Sequence, residues 1–507
     1  MEFVQFRFAV LVMAVSFGAS AHTYSPEELT ISQLHQAVKE QKTTFKQTMQ
    51  NYLDVIAAND QKGAKLNSII SMNKTALAEA EAADKAFKKD GTLKPLQGVP
   101  VLLKDNVDTA NLLTTGGSIS LKDNVPEQNA FIAQKIKDAG AIVIAKTNLH
   151  EFAVWGETRS SMQGQTLNPY DLTRTPGGSS GGTGASVAAG FGLIGIGTDT
   201  INSIRSPASA NSLVGLRPTI GLVSRSGIIP YSFTQDTAGP ITRTVEDAAR
   251  TLNIITAYDE TDSVTVLAKG LKVDYTQSLN TEGLKGKRIG VLNSFFGTDE
   301  VHKPVNDVIR NSIKQMKQEG AEIIELDTPV NVDALVQNVS VHLYDLEEDL
   351  NSYLADHPKK KPVGNLKALI QSGKFDSGIK ANIEKAVTLS KQSEDYMQRL
   401  AAREQLQQDM TKLMTEEKLD AMVFPHQKRL VVPVGETQVE RNGVLGSVTG
   451  FPSIVVPAGF SPKMETAPIG VPVGLEIFGL PLTEGKLIEI AYGYEQHYPM
   501  RQKPVLK

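Results

Sequence analysis

The sequence predicts an α/β layered protein, from two strand–helix–strand units and a set of short buried strands near the C-terminus. The first unit is Val99–Leu103, an apolar run between turn signals, followed by a helix over Ala130–Ala139 and a strand at Ala141–Ala145. The second unit starts at Arg288–Leu292. Its helix over Val305–Glu319 puts Val308, Ile309, Ile313 and Met316 on one face, Gly320 ends it, and Ala321–Leu326 is the next strand. Around these units, residues 27–90 read as helical, with Leu77, Ala80, Ala83 and Phe87 at helical spacing and Asp90-Gly91 as the stop. Residues 345–418 are charged and helical. Ala421–Pro425, Ser453–Pro457 and Val473–Ile477 close the chain as three more strands. No internal repeat, low-complexity tract or long linker divides the 507 residues, so one large core is expected.

Composition removes several function classes. With 52 basic and 56 acidic residues the formal charge is −4, and no basic run supports nucleic-acid binding. There is no cysteine, which excludes disulfides, thiolate zinc sites and a cysteine nucleophile. Met1–Ala21 reads as a secretory signal peptide, with Arg7 supplying charge and Ala19-Ser20-Ala21 as the cleavage site. Its apolar core, Phe8–Phe17, is shorter than the roughly 20 residues that span a bilayer. Cleavage after Ala21 leaves 22–507 as the mature chain, periplasmic or secreted, with no membrane span after processing. A retained N-terminal anchor is the alternative.

The chemistry concentrates between Thr175 and Arg205. Ser179 and Ser203 stand in glycine-rich or turn-like backbone on either side of a short buried segment, and with Lys104 of V-L-L-K-D-N-V-D they can form a Ser-Ser-Lys group. Competing readings of the glycines fail. No lysine follows them as a phosphate loop requires, and Val187 and Thr200 stand where a dinucleotide loop needs glycine. Gly177–Gly181 matches G-x-S-x-G, but Pro176 and a polar loop precede it instead of a strand. His150-Glu151 lacks the second histidine of a zinc motif.

Pro176–Gly184 and Gly197–Arg205 resemble the two core blocks of the amidase signature family, roughly P-G-G-S-S-G-G-S-G and G-T-D-x-G-G-S-I-R. Further blocks of the same resemblance are Gly98–Val101, Lys104–Asn106, Thr114–Ser118, Asn168–Tyr170, Gly215–Thr219, Gly239–Thr244 and Gly450–Pro452. The likeness spans about residues 27 to 500 and is thinnest between 330 and 420. It implies a single large α/β/α sandwich with a mixed central sheet, filling 22–507. It also implies hydrolysis of a carboxamide through an acyl-serine, releasing ammonia or an amine. On this resemblance Ser203 is the nucleophile, Ser179, after a cis peptide bond, relays the proton, and uncharged Lys104 is the base. The backbone N–H groups of Thr200, Ile201, Asn202 and Ser203 form the oxyanion hole, and Asp199 and Arg205 brace the nucleophile loop. No metal or organic cofactor is required. The expected partner is a small-molecule or peptide amide.

The physical logic agrees. A serine hydroxyl needs an adjacent base, and a lysine, with an ordinary pKa of about 10.4, serves near neutral pH only when desolvated or crowded by cations. One departure stands out: Ile201-Asn202 replaces the family's two glycines. Asparagine tolerates positive φ, whereas isoleucine fits only if its φ is negative. A working hole, with Ile201 lining or narrowing the acyl pocket, is therefore expected. An esterase or acyltransferase using the same triad, and a catalytically silent binding protein, remain alternatives. Substrate specificity is assigned to variable segments within 330–450, and Phe152, Trp155 and Tyr231 are read as core residues or pocket walls.

Overall fold

Among the described residues thirteen strands form: β1 (Ile69–Met72), β2 (Pro100–Lys104), β3 (Ile142–Thr147), β4 (Arg159–Ser160), β5 (Gly164–Gln165), β6 (Ile194–Asp199), β7 (Val214–Arg217), β8 (Thr237–Thr242), β9 (Arg288–Leu292), β10 (Glu322–Leu326), β11 (Ala421–Pro425), β12 (Ser453–Phe460) and β13 (Pro472–Phe478). The computed structural model describes residues 28–356 and 363–506, so the signal-peptide segment lies outside the described residues. β4 and β5 form a small ribbon, and the other eleven strands make one sheet in the order β1-β3-β2-β6-β8-β7-β12-β13-β11-β9-β10. Pairing is parallel across β3, β2 and β6 and again across β11, β9 and β10, and antiparallel at the remaining joints. This is the mixed α/β/α sandwich that the sequence predicts.

Apolar patterning explains the layers. Every residue of β2, β3 and β6 is buried, as expected of parallel strands covered on both faces. The helix over Lys303–Gln318 turns Val305, Ile309, Ile313 and Met316 inward, and Tyr494 of the Glu484–His497 helix reaches it by a 2.9 Å hydrogen bond from Oη to Ser312 Oγ. The expected helix near 73–89 forms at Ala76–Asp90 and ends on Gly91, whose φ of 68° is the left-handed cap that glycine accepts.

One expectation needs correction. Residues 27–90 are not helical throughout. Ile69–Met72 form β1, which pairs antiparallel with β3 at the sheet edge, in keeping with the strand preference of its two isoleucines. The buried segment between the two serines consists of a helix over Gly181–Ala188 followed by β6. The 345–418 region forms helices at His342–Asp356, Leu366–Ser372, Lys380–Ala386 and Glu394–Glu416. Leu346 and Leu350 of this region pack with Phe152 and Tyr231 in a separate apolar cluster beside the site.

Candidate active site

The site forms at the carboxyl ends of parallel neighbours. Lys104 is the last residue of β2, and Asp199 is the last of β6, from which the chain runs through Thr200–Ser203 into a short helix at Arg205–Ala210. Such strand ends are the usual place for function in parallel sheets. Ser179 sits in the loop before the Gly181–Ala188 helix, after a cis peptide bond from Gly178. Close packing dictates the glycines there. A Cβ on Gly182 would lie 2.2 Å from the Asn148 carbonyl oxygen, and Gly177 has a φ of 70°.

Lys104 is wholly buried, and its Nζ donates to Ser179 Oγ at 2.7 Å, to Thr198 Oγ1 at 2.8 Å and to the Thr198 carbonyl at 3.3 Å. Asn106 Nδ2 fixes the same threonine by donating to Thr198 Oγ1 at 3.1 Å. Among the described residues no carboxylate comes within ion-pair reach of Lys104. Burial pushes its pKa down to about 7, with Asp199 and Asp236 acting weakly in the opposite direction. A lysine so placed exchanges protons near neutrality. Ser203 is 4% exposed and lines a cavity of about 210 Å³ with Thr200, Ile201, Asn202, Trp155 and Tyr231. Its carbonyl accepts from the Ser180 N–H at 3.2 Å, which ties the two serine loops together.

The backbone of the Thr200–Ser203 loop is open for a ligand. Its four N–H groups donate to no acceptor among the described residues. Neither Ile201 nor Asn202 has positive φ, so the tolerance of asparagine for a left-handed backbone is not what the loop uses. Ile201 lines the cavity, as expected, and leans on a second apolar cluster.

Asp199 and Arg205 belong to a larger buried charge network. Arg205 donates from Nε to Asp199 Oδ2 at 3.1 Å, from Nη1 to Glu476 Oε1 at 2.5 Å and from Nη2 to the Ile201 carbonyl at 2.9 Å. Arg217 Nη1 reaches Asp199 Oδ1 at 2.8 Å, and Asp199 Oδ2 accepts the Ile204 N–H at 3.0 Å. Burial opposes the Asp199 charge, but Arg205 and Arg217 hold its carboxyl well below the ordinary range. Glu476 Oε2 pairs at 2.7 Å with Nδ1 of His426, whose Nε2 is buried with no partner among the described residues, as is Nδ2 of Asn202. Both His426 and Asn202 flank Gly443.

Sequence reasoning missed Thr198, Arg217, Glu476 and Arg441, the last of which lines the cavity with Ser203, and it considered His426 only as a histidine for a Ser-Asp-His triad and set it aside. Arg217 stands in the block Gly215–Thr219 and Thr198 beside Asp199, so their neighbourhood was legible. The signal for Glu476 is a lone carboxylate inside the apolar strand Val473–Ile477. Trp155 and Tyr231 line the cavity, whereas Phe152 is core.

Comparison with known proteins converges on one family. The sequence profile described as Amidase matches residues 47–488. The chain is 33% identical to a glutamyl-tRNA(Gln) amidotransferase subunit of Thermoanaerobacter pseudethanolicus, covering 94% of this chain and 98% of that one. Its identity to a probable amidase of Arabidopsis thaliana is also 33%, over 97% of this chain and 95% of the relative. The native peptide amidase of Stenotrophomonas maltophilia superposes with a TM-score of 0.85 at 34% identity, covering 95% of this chain and 99% of that chain. The corresponding glutamyl-tRNA(Gln) amidotransferase subunit of Thermotoga maritima gives 0.74 at 25%, over 96% and 99%. With the profile matched across most of its length and relatives aligned end to end, this chain belongs to the amidase signature family.

Proposed function

We propose that this amidase-family enzyme hydrolyses the C–N bond of a small or peptide carboxamide through an acyl-serine formed on Ser203. Neutral Lys104 takes the proton of Ser179 Oγ as Ser179 takes that of Ser203, and Ser203 Oγ attacks the carbonyl carbon. The tetrahedral oxyanion is held by the free N–H groups of Thr200–Ser203, each such donor being worth about 2.7–4 kcal/mol in the transition state. The relay then returns a proton to the leaving nitrogen, ammonia or an amine departs, and water cleaves the acyl-serine by the same route. Asp199 and Arg205 act through position, Arg205 by its hydrogen bond to the Ile201 carbonyl.

The observation that carries this reading is the contact between wholly buried Lys104 and Ser179, 2.7 Å apart, with no carboxylate within ion-pair reach of the lysine among the described residues. The N–H groups of Thr200–Ser203, which donate to no acceptor among the described residues, favour a working enzyme over a silent binding protein. We further propose that it acts alone and outside the cytoplasm after removal of Met1–Ala21. The better superposition on a peptide amidase than on an amidotransferase component supports acting alone. The test is turnover of primary amides in hydroxylamine. Transfer of the acyl group to a hydroxamate is expected, with Lys104→Ala and Ser203→Ala inactive and Ser179→Ala retaining a residue. Wild-type rates from Lys104→Ala would sink the mechanism. Parallel ester substrates decide between amidase and esterase.

A further inference from the structure

The cavity that holds Ser203 also holds an arginine with nothing to bind. Arg441 lines it, and its guanidinium lies 5.0 Å from the ring centre of Trp155. Nη1 is pressed against Gly156, where an added Cβ would sit 2.5 Å away. Among the described residues the Arg441 side chain makes no hydrogen bond and no ion pair. Its backbone is nonetheless fixed. Arg441 bridges Gln427 in an isolated antiparallel pair, and the neighbouring Asn442 N–H donates to the His426 carbonyl at 3.0 Å.

Of the nearby carboxylates, Glu157, Glu440 and Asp236 are engaged elsewhere. Glu157 Oε1 accepts the Gln438 N–H at 2.8 Å, and burial pushes its carboxyl above the ordinary range, which weakens it as a counter-ion. Glu440 is held by His302 Nε2 at 3.0 Å and lies 3.4 Å from Arg429. Asp236 accepts from the Thr200 hydroxyl and from the N–H groups of Tyr231 and Ser232. Asp333 stands exposed on the cavity wall. Burial presses against the Arg441 charge, offset only in part by the field of Glu157. A half-buried guanidinium with five idle donors is costly unless a ligand uses them. A planar fork backed by an aromatic face is suited to a carboxylate.

We propose that Arg441 determines specificity by binding a carboxylate on the substrate, so that the preferred amides are anionic. This rests on the acyl-serine reading above, in which the amide carbonyl sits at Ser203 in the same cavity. The carboxylate can belong to the acyl or the leaving side, and matched pairs cover both. Succinamate against butyramide tests the acyl side, and N-butanoylglycine against N-propylbutanamide tests the leaving side.

In one pair the anionic member should have a kcat/KM about 30-fold above its neutral partner, carried by KM, the size of one charge-assisted hydrogen-bonded contact. Arg441→Gln should bring that ratio close to one, and Arg441→Lys should restore part of it. A purely structural role would lower both members alike and leave the ratio unchanged, which would overturn the proposal. A preference for the neutral member in both pairs would overturn it too. Calorimetric titration of Ser203→Ala with the same four amides needs no turnover. Binding of an anionic member that is lost when Arg441→Gln is added upholds the anion site even if the wild type cleaves no amide, in which case only the acyl-serine reading fails. Equal or absent binding of the two members in both pairs contradicts the anion site itself.

Discussion

Lys104 ends β2, and Lys146 lies beside it on β3, opposite Leu103 in the parallel register; both side chains are wholly buried. Their surroundings divide them. Lys146 Nζ donates to the Val107 carbonyl at 2.7 Å, the Thr114 hydroxyl at 2.8 Å and the Leu113 carbonyl at 3.0 Å, with Asp105 Oδ1 at 3.6 Å as counter-charge. Lys104 donates to the Thr198 hydroxyl and carbonyl and to the hydroxyl of Ser179. One lysine is solvated by fixed carbonyls and a carboxylate and ties the loop after β2 to β3. The other has no carboxylate within ion-pair reach among the described residues and donates to Ser179 instead. Burial lowers the pKa of both lysines, and what separates a structural lysine from a candidate base is the partners: Asp105 and fixed carbonyls at Lys146, the Ser179 hydroxyl at Lys104.

The two pockets should separate on mutation. Lys104→Met is expected to remove at least about 10⁴ of the turnover, the scale of losing a member of a concerted proton-transfer group, with little change in thermal midpoint. Lys146→Met leaves Asp105 buried and unpaired, so it should lower stability by about 3–5 kcal/mol in urea denaturation. Turnover per folded molecule should survive it. Swapped outcomes would break the comparison.

The pH profile sharpens it. Lys104 must be neutral to accept a proton, so below a pKa of about 7 the protonated form dominates. There kcat/KM should fall about tenfold per pH unit, with a plateau above. Lys146→Met should leave that acidic limb in place. The smallest effect is expected from Ile201→Gly combined with Asn202→Gly. Because neither residue uses positive φ, the native loop is already competent, and hydrolysis should not rise. A large gain would mean that the native hole is impaired.

The two lysines also mark how far the sequence could be read. Val101–Lys104 and Ile142–Lys146 look alike as apolar runs ending in lysine, and only the surrounding family blocks singled out Lys104. The alternation of strands and helices was legible because each buried strand is a short apolar run with turn signals beside it. β1 was not, since four residues at a sheet edge owe their state to β3 and not to their own pattern. The Ser179 loop was readable from its glycines, and the Ser203 loop from the resemblance of Gly197–Arg205 to a family block. The braces from Arg217, Glu476 and His426, and the idle guanidinium of Arg441, depend on contacts between residues far apart in the chain. Periodicity carries no trace of those.

The most direct test of the Ser203 assignment is the intact mass of the mature protein after treatment with a broad fluorophosphonate, with Ser203→Ala alongside. The account predicts a single adduct on the wild type and none on the variant. No adduct on the wild type, or an adduct that persists in Ser203→Ala, would contradict it.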